Sequence, residues 1–319
     1  MKSFLFINTT KKILIIFLVI FSILINQHYG NLGVYPADSF SHFDSGYRIL
    51  LGEYPFKDYW IVSGPLIDYI QAVFFYFFGT NWQSYVFHAS VINAILTVAT
   101  FLILIRFHLN IYYSFFYSLL FAILAYTSSG TPFVDHHSAL FSLLAIYSLM
   151  LAIKDEKKIY WYLLPVFLGL SFLSKQVPSS YVIISVCIIL FFFSLFRKKY
   201  YWIKYCALSS AIFIIFLLIF GKMQGISLIS FLEQYILYPQ TIRIERIQNM
   251  DIYGLLPYFT FNGLVNHFKF IYICFIPITY INLKKLLLNR RYLKEKDFFY
   301  FSTLILFAIS LIFHQILTK

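Results

Sequence analysis

Charged side chains are scarce. They make up 12% of the chain, against 61% hydrophobic residues, whereas water-soluble domains carry about 25%. That shortage excludes an ordinary soluble fold, although 319 residues alone suggest roughly two soluble domains. Cysteine is nearly absent too. Cys187, Cys206 and Cys274 each sit inside an apolar run, and no CxxC or Cys/His spacing points to zinc. They read as packing residues. Gly-rich phosphate loops, Ser/His/Asp triads and internal repeats are lacking. The first apolar run, Ile13 to Ile25, follows Lys11 and Lys12 as a signal peptide would, but Asn26, Gln27 and His28 come next. No small-x-small cleavage site is there, so an uncleaved first helix is expected.

What the chain has is apolar runs along its whole length. Their lengths suit membrane helices, the simplest way for backbone groups to satisfy one another in lipid. The expected fold is an all-α polytopic membrane protein, a single membrane domain over 1–319. It has about nine transmembrane helices, near 11–28, 83–105, 111–129, 134–153, 159–174, 178–196, 202–221, 264–283 and 297–317. With the N-terminus in the cytoplasm, 17 of the 25 Lys and Arg residues fall in cytoplasmic segments, and nine of the 13 acidic residues fall outside. Both distributions follow the positive-inside rule. The net charge of +12 would suggest nucleic acid in a soluble protein. Here topology accounts for it, and the basic groups at 197–199 and 290–291 are membrane anchors. No nucleic-acid partner is expected.

Two outer segments are long, 28–82 and 222–263, and both are rich in aromatic residues. Long patterned loops are usually functional. In the first, Asp38 to Gly52 reads DSFSHFDSGYRILLG. Phe40, Phe43, Tyr47, Leu50 and Leu51 share a helical face, which predicts an amphipathic helix on the membrane surface. Asp38 suits the N-cap and Gly52 the C′ position. Asp38 and His42 are four apart and share a face, as do Asp44 and Arg48. A second surface or re-entrant helix is expected over 67–78, ending at Gly79.

A carboxylate beside an apolar groove can take the proton of an acceptor hydroxyl as that oxygen attacks a sugar carbon. The bland alternative is that Asp38 only caps its helix. Asp135, His136 and His137 open the fourth span. Asp135 there suits the helix dipole, and the functional alternative is an acceptor-binding or metal-binding site. Metal needs more converging ligands than DHH supplies, so no cofactor is expected, with a divalent metal on Asp38 and Asp135 as the alternative. Lys175 closes the fifth span on the outer side, against the charge trend, where it suits either the helix C-terminus or a lipid phosphate. In the second long segment, Arg243 and Arg246 are three apart and suit a phosphate, unless Glu245 between them makes a local ion-pair cluster.

The order of these features resembles the GT-C class of membrane glycosyltransferases, in the branch containing protein mannosyltransferases and bacterial aminoarabinose transferases. Three stretches carry the resemblance. They are Asp38 followed by Leu50, Leu51 and Gly52; SGPL at 63–66 before FFYFFG; and GLSFLSK at 169–175. On the transferase reading, His42, Asp135 or His136 would position the acceptor, and the resemblance implies Asp38 as catalytic base. It places Lys175, Arg243 and Arg246 by the phosphate of a polyprenyl-phosphate-linked sugar, and it implies inversion at the anomeric carbon. Acceptors of the class are glycans, lipids or proteins, and its setting is the bacterial inner membrane with the site on the outer face. The sequence departs at Gly64, where many relatives have Pro, at Ser63, often Lys, and at Ser39, often Glu. It also stops directly after the ninth span, so a chain truncated at its C-terminus is one expectation. A transporter or flippase of a lipid-linked or anionic solute, or a non-catalytic fragment of the class, is the competing reading. The polar residues lie at the outer ends of the spans rather than at mid-membrane, which favours surface chemistry over a transport path.

Overall fold

A computed structural model describes residues 2–33, 36–62, 64–126, 129–242 and 261–318. Among these the fold is helical, and the expected all-α membrane architecture is borne out. Seven helices are long and apolar enough to cross a bilayer. They are α1 (Lys2–Gly30), α4 (Trp82–Arg106), α6 (Val134–Asp155), α8 (Gln176–Arg197), α9 (Tyr201–Met223), α11 (Phe261–Leu288) and α12 (Lys296–Thr318). The expected spans at 111–129 and 159–174 are helices as well, α5 (Ile111–Ala125) and α7 (Lys158–Ser174). They have 15 and 17 residues. At 1.5 Å per residue these reach about 22 and 26 Å, short of a hydrocarbon core of about 30 Å. The count of nine is therefore not established.

The helix ends follow local chemistry. Asn81 accepts a bond from the Ser84 N–H at 2.9 Å to open α4, and Asn110 accepts from Tyr112 N–H at 2.9 Å to open α5. Both supply an acceptor to amides that the helix itself leaves without one.

The chain forms two compact units. The first holds α1, two short helices α2 (Pro36–Leu50) and α3 (Pro65–Phe78), then α4, α5 and the start of α6. Polar groups tie α1 inward. The buried Asn26 donates to Ser90 Oγ at 3.2 Å and to the Gly130 carbonyl at 3.1 Å. Small residues and side-chain hydrogen bonds substitute for the hydrophobic effect where both lipid and partner helix are apolar.

The second unit contains the rest of α6 and α7, α8, α9, α11 and α12. Serines join these helices. Ser142 and Ser171 lie 2.7 Å apart, as do Ser185 and Ser310 at 2.8 Å, and Ser209 donates to the Tyr162 carbonyl at 2.6 Å. The second long outer segment starts with the one-turn α10 (Leu228–Phe231) and a π-helical turn over Leu232–Leu237.

At one end of this unit Glu156 gathers three cations. Lys199 lies 2.6 Å away, Lys296 3.2 Å and Arg197 3.8 Å. Hydrogen bonding from Lys199, then from Lys296, holds its carboxyl below the ordinary range. Glu156 follows α6 with φ +55°, a left-handed conformation that costs a non-glycine residue about 1–2 kcal/mol.

Candidate active site

The site is built on α2 and α3, which precede α4 and pack on each other. Helix α2 begins at Pro36, so Asp38 is its third residue and not the cap that the sequence suggested. The Asp38 side chain lies outside the described residues. Gly52, with φ +85°, follows the helix end as expected. The Asp44–Arg48 pair also forms, at 2.7 Å, and is exposed.

The inward face of α2 carries His42 and Gly46, both buried, while Phe40 and Tyr47 stay exposed. A Cβ at Gly46 would meet the Gln71 side chain at 2.8 Å. This glycine therefore lets α2 approach α3 closely. Phe43 turns inward, its ring 4.8 Å from Phe75 and 5.4 Å from Tyr85. The predicted apolar stripe is thus divided, with Phe43 packed and Phe40, Tyr47, Leu50 and Leu51 facing out. The second surface helix is α3, bounded by Gly64 at φ +71° and Gly79 at φ +82°.

Close packing of α2 on α3 places His42 against a residue that the sequence reading passed over. His42 Nδ1 lies 2.7 Å from Asp68 Oδ1. Asp68 is wholly buried, and burial raises its carboxyl to about 6 even though His42 pulls the other way.

Next to this pair runs a row of buried hydrogen bonds. The Phe133 backbone N–H donates to Tyr126 Oη at 2.9 Å. With that amide directed at its oxygen, the Tyr126 O–H is assigned as donor to His137 Nδ1, a nitrogen that also lies 3.3 Å from the Phe133 carbonyl oxygen. His137 Nε2–H then donates to His88 Nε2 at 3.0 Å, and His88 Nδ1–H donates to Gln71 Oε1 at 2.9 Å. With the Gln71 oxygen placed this way, each ring carries one proton and both imidazoles are neutral. The row links α3, α4, α6 and the residue that ends α5. Phe74 stacks on the His88 ring at 5.1 Å.

The other expected site residues are distributed as follows. Asp135 and His136 stand in the first turn of α6, half-buried, with the His136 ring 5.3 Å from Tyr126. His137, not His136, joins the hydrogen-bonded row. Lys175 belongs to the second unit, in extended conformation between α7 and α8. Its neighbour Gln176 donates to the carbonyls of Val62 at 2.8 Å and Tyr235 at 2.7 Å. Within GLSFLSK, Gly169 makes room for the Phe213 ring. Arg243 and Arg246 lie outside the described residues. Among the described residues no three His, Cys, Asp or Glu side chains converge on a metal position.

Asp68, Gln71, His88 and Tyr126 were not singled out as site residues from sequence, and His137 was noted only as part of the Asp135–His137 group. The signal for two of them was legible. Asp68 interrupts an apolar stretch and His88 lies inside an apolar span, and ionisable residues in such places are expensive and usually functional.

Buried acid, imidazole and amide groups thus meet on α2, α3, α4 and α6 of an all-α membrane protein. Comparison with protein families is specific. The model for dolichyl-phosphate-mannose-protein mannosyltransferase matches residues 62–221, half of the chain. The chain belongs to this family and is a membrane glycosyltransferase of the GT-C class. The family implies a lipid-linked sugar donor and a glycan or protein acceptor. The matched segment includes Asp68, His88, His137 and Lys175; Asp38, His42, Arg243 and Arg246 lie outside it. No curated protein and no solved structure matches.

Proposed function

We propose that this chain moves a sugar from a polyprenyl-phosphate donor to an acceptor hydroxyl at the non-cytoplasmic face of a bacterial inner membrane, with inversion. The observation that carries this reading is the buried pair of His42, on the helix that also carries Asp38, with Asp68 of α3. A surface helix needs no buried carboxylate to pack, and burying one costs several kcal/mol. Such a cost suits a place where protons are handled.

In this reading Asp38 takes the acceptor proton as the hydroxyl oxygen attacks the anomeric carbon from the side opposite the phosphate. His42, Asp135 and His136 position the acceptor. Negative charge builds on the departing phosphate, and Lys175, Arg243 and Arg246 stabilise it there. These cations do the work that a divalent metal would otherwise do. The outer-face placement is supported by the charge asymmetry, which assigns the Lys- and Arg-rich segments to the cytoplasm.

The test is release of radiolabelled sugar from polyprenyl-phosphate sugars by the full chain in membranes, wild type beside Asp38→Asn. Release by wild type and loss of at least about 100-fold in the variant support the assignment. Release by both removes Asp38 from the role. Solute movement across sealed vesicles without sugar transfer would favour a transporter instead.

A further inference from the structure

Among the described residues Asp68 is the only fully buried acidic side chain. Its Oδ1 meets His42, and its Oδ2 has no hydrogen bond from the protein. A carboxylate left so sparsely satisfied does not stabilise the packing of α2 on α3; an apolar residue there would do so better. What Asp68 does specify is the state of His42. Accepting the Nδ1 proton fixes one tautomer and one ring orientation, and the remaining nitrogen, Nε2, is then a proton acceptor. One helical turn before His42 stands Asp38.

Among the described residues, four titratable groups lie near the pair. Tyr59 and Tyr85 lie near Asp68, and His88 and His137 lie near His42. The two histidines are joined to each other and to Gln71 in the row described above, and burial holds the Tyr59 hydroxyl above its ordinary range.

We propose that Asp68 and His42 form a proton-accepting pair that resets the catalytic base: Asp68 is a positioning residue that holds the imidazole, and His42 Nε2 takes from Asp38 the proton released by the acceptor. This rests on the transferase reading. The step balances. The acceptor O–H bond breaks as its oxygen bonds the anomeric carbon, and the phosphate leaves with the electron pair of the broken C–O bond. The proton passes to the Asp38 carboxylate and then to Nε2. The resulting imidazolium is paired with the Asp68 carboxylate until product leaves and the proton returns to solvent.

The experiment compares wild type, Asp68→Asn, His42→Gln and the double variant, as full chains in membranes. It measures sugar release from a panel of radiolabelled polyprenyl-phosphate sugars across pH 4.5–8. Asp68→Asn keeps the side-chain shape, and His42→Gln provides a second route should the first fail to fold. The pair predicts a fall in kcat of about 100-fold in each single variant with KM little changed, and a double variant no worse than either. It also predicts that wild-type kcat drops as pH falls through about 6, where Asp68 takes up a proton, and that Asp68→Asn loses this limb. Wild-type rates in Asp68→Asn, an unaltered limb, or single effects that multiply in the double variant overturn the pair alone. Absence of release by folded wild type from every donor overturns the transferase reading and the pair together.

Discussion

Gly130 meets α1 at Gly30 so closely that a Cβ added to Gly130 would lie 2.4 Å from the Gly30 Cα. Gly130 also has φ +67°, and its carbonyl accepts from the buried Asn26. Backbone meets backbone here, so no side chain can move aside. Gly130→Ala should destabilise the protein by about 2–4 kcal/mol, seen as a lower Tm in detergent. An unchanged Tm would mean that this crossing opens readily.

Removing one hydroxyl should break the buried row. Tyr126→Phe leaves the Phe133 N–H and His137 Nδ1 without the oxygen that serves both. The expected cost is about 1–3 kcal/mol. Chemical denaturation of wild type and variant measures it, and equal stability would remove the row from the energetics.

Asp68 makes stability depend on pH in an unusual direction. Its folded value of about 6 lies above its unfolded value of 3.8, so the folded state holds the proton more tightly between them. Stability from this group is therefore present at low pH and is lost as pH rises from about 4 to 6. The Tm difference, Asp68→Asn minus wild type, should grow across that window and stay level above it. A flat difference would show that the carboxyl is not shifted.

Glu156 should show the opposite sign. Its carboxyl is held below the ordinary 4.5 by its lysines, so its contribution is present above that value and fades as pH falls. The side chain is about one-third exposed, and solvent screening limits each pair to under about 1 kcal/mol. Glu156→Gln should cost about 1 kcal/mol at low salt and less in 1 M salt. Glu156→Gly loses the same pairs but relieves the left-handed backbone, so it should be the milder change. Greater damage from glycine would mean that the backbone there is not strained.

Sequence patterns foretold what depends on local spacing. The amphipathic α2 and the Asp44–Arg48 pair follow from intervals of three or four residues, and most span positions follow from the lengths of apolar runs. The His42–Asp68 pair does not, because its partners are 26 residues apart on helices whose mutual rotation is set by Gly46 packing on Gln71. Nor does the row from Gln71 to Tyr126, whose members come from different helices. The division of the α2 stripe was hidden for the same reason. Phe43 and Phe40 look alike in sequence, and only the neighbouring α3 and α4 decide which is covered. The end of α5 was misjudged, since the helix stops at Ala125 rather than near 129, whereas α7 matches its expected bounds to within one residue.

The row of hydrogen bonds from Phe133 to Gln71 has a direction. A main-chain amide at one end points its hydrogen into the row, and every donor after it points the same way. Reversal would require the Gln71 amide to rotate and the intervening protons to change sides together. A rotation of the Gln71 amide on α3 is thereby coupled to the tautomer of the His137 ring on α6.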